Sequence, residues 1–436
     1  MPDIVTTRIF ADGEKNITAA KLNDVIGSSV IQTSFVGAKP VASSIGSTDN
    51  LLLLTAGGTY AQVPFSTLSS AISGAIGDTE IWNVRLRSFN AVGNPNFELD
   101  QRNVGNSITA TNGLFCQDRW NIFQPGGAGR CSSQRMPGNI PVPGTNFLIT
   151  QSFLRFTVAT AQATLAASDG YLLQQAVEGP ILRELLGDVN SISILCRSSV
   201  ANLKFGLNLQ SASGTIVTIG KLCSLGAANT WTLLTFPALP VWSASGTWSV
   251  NPGSPGYYLY IVLAAGSGNL VPSNDTWVTT PNWGAVGQSN FLATSGSTFD
   301  VAFVQHEPGA VCSILMDKPF SVNYDECLRY YCKSYDYATA VGATSANGYR
   351  GIINPVTSAA NYIYPGATFL KTMAKAPTAV IYNHATGAAN SLQQSTGTNY
   401  TIAATGTGQT NITYIQGTSF AANGQFVFHF TADSGW

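Results

Sequence analysis

Phe299-Asp300-Val301-Ala302-Phe303-Val304-Gln305 reads as a strand, with Phe299, Val301 and Phe303 on one face. Five further runs read alike: Phe147–Thr157, Ser191–Arg197, Leu203–Leu209, Thr230–Phe236 and Tyr257–Leu263. Turn clusters such as Asn94-Pro95-Asn96, Pro141-Val142-Pro143-Gly144 and Asn251-Pro252-Gly253 punctuate the region. Many short strands at regular spacing predict a β-sandwich over 81–333 rather than a parallel α/β sheet. No fixed-period repeat points to a solenoid. Two helices interrupt the pattern. Pro180 opens Ile181–Leu186 and Gly187 closes it. Asn323, with Glu326 three residues on, caps a second helix that runs to Tyr330. Strands then return at Gly348–Ile353, Thr378–Tyr382, Tyr400–Ala403, Asn411–Ile415 and Gln425–Thr431. In the last, Phe426, Phe428 and Phe430 alternate with Val427 and His429, so 334–436 is expected to form a smaller C-terminal β domain. The fold class expected is all-β.

Residues 1–80 differ. Thr18 can cap a short helix, Ala19–Ile26, with Ile17 and Leu22 placed as a hydrophobic staple. Leu51–Leu54 and Tyr60–Phe65, around Gly57-Gly58, predict a hairpin. So little apolar material cannot build a core, so this segment is expected to be an arm that docks on a partner or trimerises. Ile17, Leu22, Val25 and Ile26 are its candidate anchor residues.

The 436 residues carry 21 Lys+Arg and 22 Asp+Glu, for a net charge of -1, which argues against nucleic-acid binding. Charged residues make up 10% against about 25% in an ordinary soluble domain. With 44% hydrophobic residues, that deficit is expected of subunits that cover much of one another's surface. No apolar run is long enough to span a bilayer, so no membrane insertion is expected. The N-terminus lacks a basic-then-apolar leader. Seven cysteines without tandem spacing predict no disulfide framework. Together these features suggest a particle component made in a host cytosol and released by lysis.

A resemblance sharpens that expectation. Asn94–Asn103 (NPNFELDQRN), Asp118-Arg119-Trp120, Gln174–Glu178, Gln305–Gly309 (QHEPG) and Asp325–Lys333 (DECLRYYCK) occur in an order and spacing that resemble a jelly-roll domain of tailed-bacteriophage fibre and virion structural proteins. Phe369–Trp436 is similar to the segment that follows it, and Gly58–Leu68 (GTYAQVPFSTL) to phage-fibre N-termini. Cys332 departs from the pattern, which more often has a polar residue there. The resemblance implies a homotrimeric fibre located in the virion and made in the bacterial cytoplasm. Its arm would dock on other virion structural proteins (capsid, tail or adaptor), and its jelly roll would be similar to carbohydrate-binding modules. Tail fibre and head fibre both remain open, as does a purely structural capsid decoration.

Motifs for chemistry are sparse. His306, His384 and His429 are isolated, and no zinc, nucleotide or nucleophile-elbow spacing is present. No cofactor and no enzymatic activity are expected. A polysaccharide-degrading tailspike is the enzyme alternative, and it needs two carboxylates at glycosidase spacing. No Asp-rich loop supports a calcium site. Cys116 and Cys131 could pair if oxidised, but cytosolic assembly favours free thiols. Arg102, Asp118 and Arg119 read as an ion-pair cluster, or as a ligand site. Glu178 reads as a charge complementing the dipole of the Ile181–Leu186 helix, or as a catalytic acid. For contact with host-surface polysaccharide the useful residues are exposed rings beside amides and acids, because a pyranose has an apolar face and polar edges. The local excess of aromatics nominates Trp242, Trp248, Tyr257, Trp277 and Trp283, with Asn274 and Asp275. The same rings would also serve as core or interface anchors.

Overall fold

The computed structural model describes residues 89–436 except 127–128, 355–359 and 365–366, together with four short strands nearer the N-terminus. The chain divides into two compact units, Met1–Ile81 and Trp82–Trp436. In the first, β1 (Ile4–Val5) pairs antiparallel with β2 (Val30–Ile31), and β3 (Asn50–Leu54) with β4 (Tyr60–Pro64). The second pairing joins the two runs expected to form a hairpin. The helix expected at Ala19–Ile26 and the anchor residues Ile17, Leu22, Val25 and Ile26 lie outside the described residues.

The second unit begins with thirteen strands: β5 (Ile108–Ala110), β6 (Phe115–Gln117), β7 (Trp120–Phe123), β8 (Cys131–Pro141), β9 (Leu148–Val158), β10 (Gly170–Glu178), β11 (Asn190–Ser198), β12 (Lys204–Ser211), β13 (Val217–Ser224), β14 (Thr232–Leu239), β15 (Pro255–Ala265), β16 (Trp277–Thr279) and β17 (Thr298–Pro308). They form two antiparallel sheets, ordered β16-β13-β12-β15-β10-β7-β6 and β14-β11-β17-β9-β8-β5. The chain passes back and forth between them, which is a jelly-roll sandwich. Period-two alternation turns Leu207, Leu209, Leu259, Ile261, Ile192 and Ile194 into one shared core, with Trp120 and Phe97 stacked at 5.1 Å.

Both sequence-predicted helices need adjustment. α1 (Gly179–Arg183) has Pro180 in its first turn, as expected, but stops at Arg183, and the chain then turns to Gly187 at φ 89°. α2 (Phe320–Leu328) starts after Pro319, so Asn323 lies inside it. The Asn323 side chain is buried, accepts from Asn94 N–H at 3.1 Å and donates to Asn96 Oδ1 at 3.2 Å. It fastens the helix to the Asn94-Pro95-Asn96 turn instead of capping it.

The remaining strands are β18 (Tyr331–Lys333), β19 (Arg350–Ile353), β20 (Ala360–Ile363), β21 (Ala367–Thr368), β22 (Thr378–Tyr382), β23 (Ser391–Gln394), β24 (Asn399–Thr407), β25 (Asn411–Phe420) and β26 (Gln425–Asp433). β26 organises them, pairing with β18, β19, β22 and β23. Phe426, Phe428 and Phe430 are fully buried, and so is His429 on the opposite face. The boundary expected at 333/334 therefore cuts behind the first strand of the C-terminal sheet.

Buried polar groups join the two β regions. The Arg102 guanidinium lies 3.7 Å from Asp118 and pairs with Asp433 of β26. Lys333 donates to the carbonyls of Gln101, Tyr337 and Thr339 at 2.8, 2.9 and 2.6 Å. Arg119 takes no part in the expected ion-pair cluster. It stacks on Tyr330 at 3.5 Å and donates to the Ala176 carbonyl. Glu178 faces neither solvent nor the axis of α1. It accepts from Arg329, Tyr330 Oη and Gly253 N–H. Burial alone would raise its pKa, but those hydrogen bonds bring the carboxyl below its usual value.

Asp118 is fully buried, and burial pushes its carboxyl up to about 6 even with Arg102 beside it. Arg102→Met should therefore cost about 3–5 kcal/mol at pH 7, because it leaves a buried carboxyl without its cation. The Arg102→Met/Asp118→Asn double variant should recover part of that loss, with Asp433 still lacking its Arg102 partner. Urea denaturation of the four proteins checks this, and strict additivity of the two single costs would show that the pair is not coupled.

Candidate functional site

The seven residues nominated for sugar contact separate into three places. Trp242, Trp248, Tyr257 and Trp277 gather in one nest, with Trp242 centred 4.8, 5.3 and 5.6 Å from the other three rings. Trp242 is 9% exposed and Tyr257 0%. The Tyr257 hydroxyl meets His306 Nδ1 at 2.6 Å. Trp283 is buried on the outer face of the seven-stranded sheet, against Leu172, Tyr260 and Val262. The Gly170 backbone leaves no room there for any side chain beside the indole. Asn274 is tied to both backbone groups of Val286, and Asp275, at φ 63°, pairs with Lys221 at 2.5 Å. The expectation of exposed rings is thus corrected for Trp242, Tyr257 and Trp283. These large flat side chains fill space where a sandwich edge and a covering loop need it.

A different surface combines aromatic and polar groups. On the outer face of β14-β11-β17-β9-β8-β5, the register sets Gln134 opposite Arg155, Arg155 opposite Asp300, and Asp300 opposite Arg197. Trp231, one residue before β14, continues the row beyond Arg197. Asp300 is 2% exposed and accepts from Arg155 Nε (2.7 Å), Arg155 Nη2 (2.8 Å) and Arg197 Nε (2.7 Å). The hydrogen bond to Asp300 raises the Arg155 pKa further. Arg197 lies over the Trp231 ring at 4.6 Å, and Phe153 meets that ring edge-on at 5.4 Å. Beneath the row, Phe153, Leu195, Ala302, Phe303, Ile140 and Ile149 make an apolar floor. Residues 309–316 return over the same face, with Leu315 in the floor and Ser313 bonded to Gln305 and Glu307.

Sequence reading passed over this row because its rings are not clustered along the chain. Its signal is a charge in mid-strand: Arg155 between Leu154 and Phe156, Arg197 after Cys196, and Asp300 between Phe299 and Val301. In a chain with 10% charged residues, three such interruptions on adjacent strands mark one face.

A cavity of about 660 Å³ lies elsewhere, lined by Asn90, Arg119, Glu178, Val322, Glu326 and Arg329 among others. Asp317 also lines it, and its three carboxylates are engaged: Glu178 as described, Glu326 with Lys318 at 2.7 Å, and Asp317 accepting from the Asn96 amide at 2.8 and 3.0 Å. All seven cysteines are free, including Cys116 and Cys131. Among the described residues no three His, Cys, Asp or Glu side chains are grouped as a metal site requires.

No family model matches the sequence, and no curated protein matches it. Solved structures that align with it include TmCBM61 in complex with β-1,4-galactotriose, at 14% identity over 51% of this chain and 99% of that one, with a TM-score of 0.25. A putative sugar binding protein from Bacteroides thetaiotaomicron aligns at 9% identity over 50% of this chain and 100% of its own, with a TM-score of 0.28. The enzymatically active domain of tailspike protein 4 from bacteriophage CBA120 aligns at 12% identity over 50% of this chain but 21% of that chain, with a TM-score of 0.25. At these TM-scores the likenesses carry no conclusion about what the chain does.

The aromatic nest yields a pH prediction. Burial lowers the His306 pKa from 6.5 to about 3. Between those values the unfolded chain binds a proton that the folded chain refuses, so stability falls on acidification from pH 6.5 toward 3. At pH 4 this one group should have cost on the order of 2–3 kcal/mol. His306→Gln removes that proton linkage, since the amide does not titrate. The stability gap between wild type and variant, measured by urea denaturation, should narrow from pH 7 to pH 4. An unchanged gap would mean that His306 takes up its proton in the fold as readily as in the unfolded chain.

Proposed function

We propose that this chain is a fibre protein of a tailed-phage virion that binds host-surface polysaccharide without cleaving it. The observation carrying the reading is the Gln134–Arg155–Asp300–Arg197–Trp231 row, a half-buried line of hydrogen-bonding groups that ends at a flat apolar ring. A saccharide can place its apolar face on the indole and its hydroxyls on the guanidinium and amide groups. The motif order from Asn94 to Lys333, the low charge and the all-β fold support the virion assignment. In this reading residues 1–80 dock on the particle, the β regions face the host, and three copies assemble.

Two measurements test it. Full-length protein should bind polysaccharide extracted from the host surface in biolayer interferometry, and release no oligosaccharide from it. Trp231→Ala should weaken binding at least about tenfold, the loss of a stacked ring with its cation–π partner. A variant that keeps its melting temperature and its affinity would remove the row from the function. In mass photometry the protein should appear at three times 45.9 kDa. A species that stays monomeric at micromolar concentration would defeat the trimer.

A further inference from the structure

Building on the glycan reading of this face, we infer that its ligand is an acidic saccharide, a polymer carrying sugar carboxylates. The reason is charge arithmetic at the row. Two guanidinium groups share one carboxylate, so the cluster carries a net charge of about +1. Arg155 and Arg197 have no other ion-pair partner among the described residues. Their side chains are 29% and 24% exposed, whereas Asp300 is sealed beneath them.

The donors left over point the same way. Asp300 uses Nε and Nη2 of Arg155 but Nε alone of Arg197. Arg155 Nη1 and both terminal nitrogens of Arg197 make no hydrogen bond to described residues, and none of the three is buried. These are planar N–H edges held in place from behind. Asp300 orients both cations and Trp231 supports one of them through its ring face. A carboxylate can accept from such an edge through two oxygens. A strand tie needs only one arginine per aspartate, so the second leaves an uncompensated charge that a neutral sugar would not offset. The face is therefore complementary to an anion in charge and in donor geometry, while Trp231, half-buried over the Phe153 floor, supplies the apolar contact that a bare anion lacks.

The test uses the full chain against four immobilised polymers: polygalacturonate, the same polymer methyl-esterified, neutral galactan and polyaspartate. Polygalacturonate should bind at least about tenfold tighter than its methyl ester at 50 mM salt, and that preference should shrink at 500 mM as charges are screened. Arg197→Gln should bring the two forms close to parity, and Arg197→Lys should retain part of the preference and its salt sensitivity. Equal binding of the acid, its ester and galactan would overturn the inference and leave glycan binding standing. Polyaspartate binding as well as polygalacturonate would overturn it too, showing a general anion patch. Binding to none of the three saccharides would overturn both this inference and the glycan reading beneath it.

Discussion

One extra residue in β17 sets the terms for everything around it. Leu195 pairs with Phe303 and Cys196 with Val301, so Ala302 is bulged out of the ladder. Before the bulge, Phe299 and Val301 point into the sandwich core and Asp300 points out. After it the phase is inverted: Val304 belongs to the core and Phe303 to the outer floor. The pairing edge changes at the same place. β9 follows β17 only as far as Val301, and beyond it Val304 donates to the Pro95 carbonyl and Ala91 to the His306 carbonyl. Asn90 fixes that handover, donating to the Val304 carbonyl and accepting from His306 N–H. A single bulge thus lets one strand hold the core, present Asp300, support the floor and secure the start of the sandwich.

The second constraint is the polar seam between the sandwich and the C-terminal sheet. Glu178 is saturated by two bonds from Arg329, one from Tyr330 and one from Gly253. Lys333 gives all three protons to carbonyls, and burial pulls its pKa down to about 8. Such groups tolerate little displacement, because each lost partner exposes a buried charge. Apolar contacts alone would let two β surfaces slide. Directional bonds from Arg102, Lys333 and Glu178 hold them in one register.

Most of the fold was legible because period-two patterning is a local property. Phe426–Phe430 and Tyr257–Leu263 announce strands within a few residues. What escaped depended on pairing. Phe303 shares a sequence face with Phe299 and Val301, and only the bulge opposite Leu195 and Cys196 turns it outward. Asn323 looks like a cap from its neighbours, but its partners lie more than 200 residues away at Asn94 and Asn96. The aromatic excess at 242–283 was real, and it marked a packed core end and a covering loop. Counting rings along a chain cannot separate an exposed ring from one that plugs a sandwich. The row from Gln134 to Trp231 was hidden for the converse reason, since its members come from four strands and the residue preceding a fifth and meet only when the sheet forms.

Charge placement separates the seam from the face. In a protein with 10% charged residues, a charge kept in mid-strand needs a reason beyond solubility. At the seam the charged atoms turn toward protein: the oxygens of Glu178 and the ammonium of Lys333 are spent on neighbours. At the face Asp300 takes three of the arginine N–H groups, and the remaining N–H edges of its two cations are turned outward. A purely structural pair gains by sealing its donors away from water, where each hydrogen bond is stronger. Leaving them open gives up that gain while the buried Asp300 holds their orientation. That arrangement preorganises donors for something arriving from outside the molecule.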